Sequence, residues 1–155
     1  MRMPQCLRSA LALLWLASLW CAGCSTPRAS VGVSLVNVAL TEATVQGTAA
    51  VFKVRLQNES VYPLVVERAT YRFFLDGGLV GEGSVREPVG LRESSPAECT
   101  VTVRLADPAL VERVRTLIAR GRVNYKIESR LGSGQLDTED LVTLKTTGTG
   151  TVDLH

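Results

Sequence analysis

The chain has 155 residues, 46% of them hydrophobic but only 5% aromatic, and a formal net charge of +2. That length allows one domain beside a targeting segment, with a core built mainly from aliphatic side chains. Without Arg2 and Arg8, which lie in a segment expected to be removed, fifteen basic residues face fifteen acidic ones. So neutral and interspersed a surface carries no electrostatic footprint for nucleic acid.

At the start of the chain, Arg2 and Arg8 supply positive charge, Ala10 to Trp20 an apolar run, and Ala22-Gly23 small residues before a cleavage point. The run is shorter than the roughly 20 residues of a membrane span. The segment Cys21-Ala22-Gly23-Cys24 resembles a bacterial lipobox, with Cys21 where that motif usually has Leu. The resemblance implies that residues 1–23 are a lipoprotein signal peptide and that Cys24 is lipidated, palmitate among its acyl chains, as the mature N-terminus. Ser25 after the cysteine implies sorting to the outer membrane of a two-membrane bacterium, with the domain facing the periplasm. An ordinary cleaved signal and an uncleaved anchor are the competing readings. Cys6 and Cys21 then leave with the signal, so Cys99 remains as a lone thiol with no disulfide framework. It alternates in phase with Val101, Val103 and Leu105, which reads as a small core hydrophobe.

Residues 24–30 are polar, contain Pro27, and read as a tether; residues 31–155 form the domain. Val31 to Leu40 is a strand whose phase slips at Leu35-Val36, predicting a bulge or a switch between sheets. Thr41 to Gly47 reads as a loop. Two alternating runs follow, with Phe52, Val54 and Leu56 inward in the first and Ala69, Tyr71, Phe73 and Leu75 inward in the second. Between them, Asn58 to Pro63 is a break in which Asn and Ser can bond local backbone and proline stops the strand. Asp76-Gly77-Gly78 predicts a tight turn. Leu79 to Arg86 returns as a glycine-rich strand, the best candidate for an open edge, and Glu87 to Pro96 reads as a loop.

Ala97 to Leu105 is a clear strand. Asp107 as N-cap, Pro108 at the first position and Gly121 as a stop bound a helix near 108–120. Its apolar stripe is Leu110, Val111, Val114, Leu117 and Ile118. Val123 to Leu131 alternates again, Gly132-Ser133-Gly134 reads as a turn, and Leu136 to Lys145 as a last strand before a Thr- and Gly-rich tail that extends it or frays. About seven short strands with one inserted helix and no βαβ alternation predict an all-β antiparallel sandwich rather than an up-and-down barrel.

The strand SVGVSLVNVALTEATV, the run FKVRLQNESVYPLVVERATYRFFLDGGLVGEGSV and the strand CTVTVRL before the helix resemble the group-two late embryogenesis abundant family. Its domain is also called the water-stress and hypersensitive-response (WHy) domain. That family's Asn-Pro-Asn after the strand stands here as Asn58-Glu59-Ser60. The resemblance implies a fibronectin-like or immunoglobulin-like sandwich and a link to desiccation and stress protection, with bacterial members often exported as lipoproteins.

Asn58 falls in phase with buried residues, so its side chain must find backbone partners, and with Pro63 it is assigned to a structural loop. Neither a catalytic residue nor a cofactor or metal site emerges. His155 is the only histidine and stands at the terminus. Asp137, Glu139 and Asp140 cluster without EF-hand spacing, and Gly81-Glu82-Gly83 lacks the strand-to-helix setting of a phosphate loop. The expectation is a non-enzymatic envelope lipoprotein, bound to the membrane through Cys24, that protects or scaffolds envelope components. The alternative is a binding module that recruits an envelope protein, a cell-wall component or an apolar ligand through a sheet edge or loops.

Overall fold

The computed structural model describes residues 29–43, 47–134 and 142–154. Within them eight strands and one helix follow in order. They are β1 (Val31–Ala43), β2 (Gly47–Asn58), β3 (Leu64–Leu75), β4 (Gly78–Val85), β5 (Val89–Leu91), β6 (Pro96–Leu105), α1 (Pro108–Ala119), β7 (Arg122–Gly134) and β8 (Val142–Asp153). Every strand pair is antiparallel, and the pairs build two sheets, β1-β2-β6 and β4-β3-β7-β8. β5 runs beside the stretch Leu64 to Val66 of β3, whereas β4 pairs with β3 from Ala69 onward. The architecture is the antiparallel sandwich with one inserted helix that the strand pattern predicts.

The alternation in β2 and β3 sets the core. Phe52, Val54 and Leu56 are buried on one strand, Ala69, Tyr71, Phe73 and Leu75 on the other. Because β2 and β3 belong to different sheets, the break from Asn58 to Pro63 carries the chain across the sandwich. The two inner faces then meet directly, with Phe52 stacked on Phe73 at a centroid distance of 3.8 Å and an interplanar angle of 10°. Such ring pairs add about 0.5–1.5 kcal/mol beyond their buried area.

The phase slip in β1 is a bulge between Leu35 and Asn37. Two further register shifts fall in β3, between Val66 and Arg68 and between Phe73 and Phe74. Bulges bend and twist strands, and here both corners of the sandwich draw close. At one corner β4 passes β6, where a Cβ on Gly81 or Gly83 would stand 2.5 Å from a methyl of Val103 or Val101 respectively. At the other, β8 passes β1.

Helix α1 crosses from β6 to β7 and closes one end. Asp107 accepts a hydrogen bond from the Ala109 N–H at 2.9 Å, Pro108 opens the helix, and Gly121 ends it at φ +78°. Val114 and Leu117 are buried, while Leu110, Val111 and Ile118 pack half-buried against the core. Asp76 and Gly77 both take positive φ, +45° and +78°, giving the two-residue hairpin twist between β3 and β4.

Three sequence expectations need correction. The segment Glu87 to Pro96 holds a short strand, β5, because Val89 and Leu91 can add to a stretch of β3 that β4 leaves unpaired. Thr41 to Ala43 extend β1, and Gly47 already belongs to β2, so the expected loop narrows to residues that lie outside those described. Gly132 and Ser133 form no turn; they pair with Arg68 and Val66 on one side and with Thr143 and Val142 on the other. Of the two readings of the Thr-Gly tail, extension holds: it is strand through Asp153, since register pairing along β7 continues to Arg122.

Candidate functional site

The chain enters the sandwich at the end where β2 hands over to β3, and polar side chains hold that end. Asn58 is 2% exposed and continues the inward phase of Val54 and Leu56. Its Nδ2 donates to the Tyr62 carbonyl at 2.8 Å and to the Leu91 carbonyl at 3.3 Å, and its Oδ1 accepts from the Ser60 N–H at 2.8 Å. One amide thus ties the crossover loop to itself and to β5. Pro63 is exposed and stands immediately before β3, where a missing N–H interrupts no ladder.

Ser30, the residue before β1, is fastened to the same loop. Its N–H donates to Ser60 Oγ at 2.9 Å and its Oγ to the Glu59 carboxylate at 2.8 Å, while the Glu59 N–H donates to the Ser30 carbonyl at 2.9 Å. Val61 projects from the loop and is 74% exposed.

At the opposite end a second polar cluster docks the helix. Asp76 accepts from the Asn124 N–H and from Arg120, each at 3.0 Å, and Arg113 donates to the Leu75 carbonyl at 3.1 Å. Arg120 stands at the helix C-cap and turns its guanidinium to the Asp76 carboxylate. The hydroxyl of buried Tyr71 and Sγ of half-buried Cys99 lie 3.6 Å apart. Burial pushes the Cys99 thiol up, a shift that the hydrogen bond to Tyr71 partly offsets. Burial, and then the neighbouring Cys99, push the Tyr71 hydroxyl well above the usual tyrosine range. Both groups are therefore protonated at neutral pH.

Cys24, Asp137, Glu139, Asp140 and His155 lie outside the described residues. Among those described, no group of three His, Cys, Asp or Glu residues is placed to hold a metal ion, and no helix is long and apolar enough to cross a membrane. β4 stands at the edge of its own sheet, with its glycines against β6. Sequence reasoning picked out Asn58 and Pro63 but not Ser30, Glu59 or Asp76. A Ser-Glu-Ser set with 28 residues between its first two members leaves no local signal.

Fold and polar clusters together describe a small two-sheet sandwich in which buried Asn58 and mostly exposed polar side chains brace loops and dock a helix. A family model described as late embryogenesis abundant protein matches residues 53–153, and the chain belongs to that family. Among solved structures, a solution structure from Arabidopsis thaliana is 18% identical, covers 83% of this chain and 84% of that chain, and has a TM-score of 0.54. A solution structure of a late embryogenesis abundant protein is 17% identical over 96% of this chain and 84% of that one, at a TM-score of 0.48. A crystal structure of an Archaeoglobus fulgidus protein is 20% identical over 80% and 94%, at 0.42. Comparison with curated proteins gives no match. At these identities the likeness concerns the fold alone.

Proposed function

We propose that this chain is a non-enzymatic, lipid-anchored protein of the bacterial envelope, of the group-two (WHy) kind, that protects or scaffolds envelope components under water stress. The observation that carries the reading is the clamp on Ser30. Between Cys24 and Ser30 only five residues intervene, and an extended chain covers at most about 3.6 Å per residue. A lipid on Cys24 would then hold the Asn58–Pro63 end within roughly 20 Å of the bilayer surface. The hydrogen bonds to Glu59 and Ser60 would pass the load of that anchor into the crossover loop rather than let β1 peel from its edge.

Family membership supports the protective role. The Tyr71–Cys99 pair, protonated and turned on itself, supports a non-enzymatic one. Ser25 after the lipidated cysteine supports the outer membrane facing the periplasm.

The deciding experiment is the intact mass of the membrane-extracted protein with Cys24→Ala beside it. A chain beginning at Cys24 with diacylglycerol and acyl mass, lost in the variant, is the expected result; a chain cut elsewhere and free in the periplasm would overturn the anchor. Survival of a deletion strain after drying tests the protective role separately, and unchanged survival would remove it.

A further inference from the structure

We infer that the outer face of the β4-β3-β7-β8 sheet carries an anion-binding niche, centred on Arg130 and Lys145, that takes a phosphate group. The β7–β8 register sets Arg130 directly opposite Lys145, and the β3–β7 register places Thr70 on the other side of Arg130. Both cations are exposed, and like charges directly opposite each other on one sheet face are destabilising. A third cation, Arg68, pairs in register with Gly132, two residues along β7 from Arg130. A Cβ on Gly132 would come within 2.9 Å of Arg68 Cγ, so the Arg68 stem lies close over β7 there.

Other cations on the two sheets share carboxylates. Lys53 and Arg55 share Glu98, and Arg72 and Lys126 share Glu128. Arg68, Arg130 and Lys145 have no acidic partner among the described residues. Glu128, two residues from Arg130, is already taken by its two partners. Glu82 lines the same depression from β4 without an ion pair among the described residues, but β3 and β7 stand between β4 and the strand that carries Lys145.

Thr70 and Thr147 line this depression of about 610 Å3 together with the two cations and the Arg72, Glu82 and Glu128 side chains. A planar guanidinium, an ammonium and hydroxyl donors around one hollow match the oxygens of a phosphate, which can accept a bidentate pair from Arg130 and a point charge from Lys145. A bound dianion would also relieve the repulsion between the two cations. The phosphate can belong to a free small molecule or to a lipid headgroup, and the chemistry at the niche is shared.

The test is an NMR titration of the full chain with inorganic phosphate at constant ionic strength, repeated with vesicles of phosphatidylcholine containing phosphatidic acid. The double variant Arg130→Gln/Lys145→Gln is compared with Arg86→Gln/Arg92→Gln, which removes the same charge from other sites. The expected result is a saturable shift confined to the amides around Thr70, Arg130 and Thr146. Affinity should fall about tenfold or more in the first variant and stay unchanged in the second. Saturable binding to free phosphate points to a soluble ligand, and binding to the vesicles alone points to a headgroup. Equal losses in the two double variants, shifts scattered over the surface, or no response to either probe would overturn the niche. Because Lys145→Gln removes a repulsion, the first variant is expected to fold with unchanged or raised Tm, so loss of binding cannot be ascribed to unfolding.

Discussion

Gly148 on β8 passes so close to β1 that a Cβ on it would overlap the Val33 carbonyl oxygen. The contact is backbone against backbone, so no side chain can swing aside to make room. Gly148→Ala should cost about 1–3 kcal/mol by overpacking, and Gly148→Val should abolish folding. Gly90→Ala is the control, since nothing lies within 4 Å of its added Cβ; it should change stability by less than about 1 kcal/mol. Urea denaturation of the three variants measures all of this.

Asn58 serves three backbone groups at once. Asn58→Ala leaves the Tyr62 and Leu91 carbonyls and the Ser60 N–H without that partner at a buried end of β2. A buried unsatisfied group costs about 1–3 kcal/mol, and part of the set will reach water once the loop loosens. The expected loss is about 2–4 kcal/mol, with faster amide exchange through β5 and at Ser30. Equal exchange in wild type and variant would show that the amide does not brace the crossover.

Asp76 combines a strained backbone with a polar link, and substitutions can separate the two. It holds φ +45° while bonding Arg120 and the Asn124 N–H. Asn tolerates that φ and keeps an acceptor, Gly keeps only the φ, and Ala keeps neither. The expected order of stability is Asp76→Asn above Asp76→Gly above Asp76→Ala, with losses of about 0.5, 1–2 and 2–3 kcal/mol. Parity between Gly and Ala would mean that the backbone conformation contributes nothing.

The strands were legible because their inward residues repeat every second position over runs such as Phe52 to Leu56 and Ala97 to Leu105. The helix was legible because Asp107, Pro108 and Gly121 mark its ends. What escaped depends on partners distant in sequence. β5 is three residues long and exists because β4 leaves Leu64 to Val66 free. Gly132 looks like turn chemistry, yet it sits inside β7 with Arg68 close above it. Asn58 was readable as a buried amide from its phase, but its bond to Leu91 crosses 33 residues. Ser30, Glu59 and Ser60 are unremarkable apart and meet only when β1 lies along β2.

Glu98 carries an acid-side prediction. Hydrogen bonds from Lys53 and then Arg55 hold its carboxyl below the usual range. A depressed carboxylate contributes stability above its unfolded pKa of about 4.3 and loses it as pH falls through the lower folded value. Stability should therefore decline below about pH 4.5, and Glu98→Gln should flatten that part of the profile. The group is exposed, so the effect is small and shrinks in high salt.

Cys99 carries the alkaline counterpart. Burial holds its thiol above the usual value, with Tyr71 facing it. A group whose folded pKa is raised contributes fully below its unfolded value, about 8.5, and loses that contribution as pH rises toward the folded value. Stability should fall as pH rises above about 8.5, and Cys99→Ala should make that slope shallower while losing some packing. The same shift makes the thiol slow to alkylate. At pH 8 iodoacetamide should modify Cys99 at least about tenfold more slowly in the folded chain than in urea. Similar rates in the two states would show that the thiol is reachable and ionised at the surface, and the inward pairing with Tyr71 would have to be abandoned.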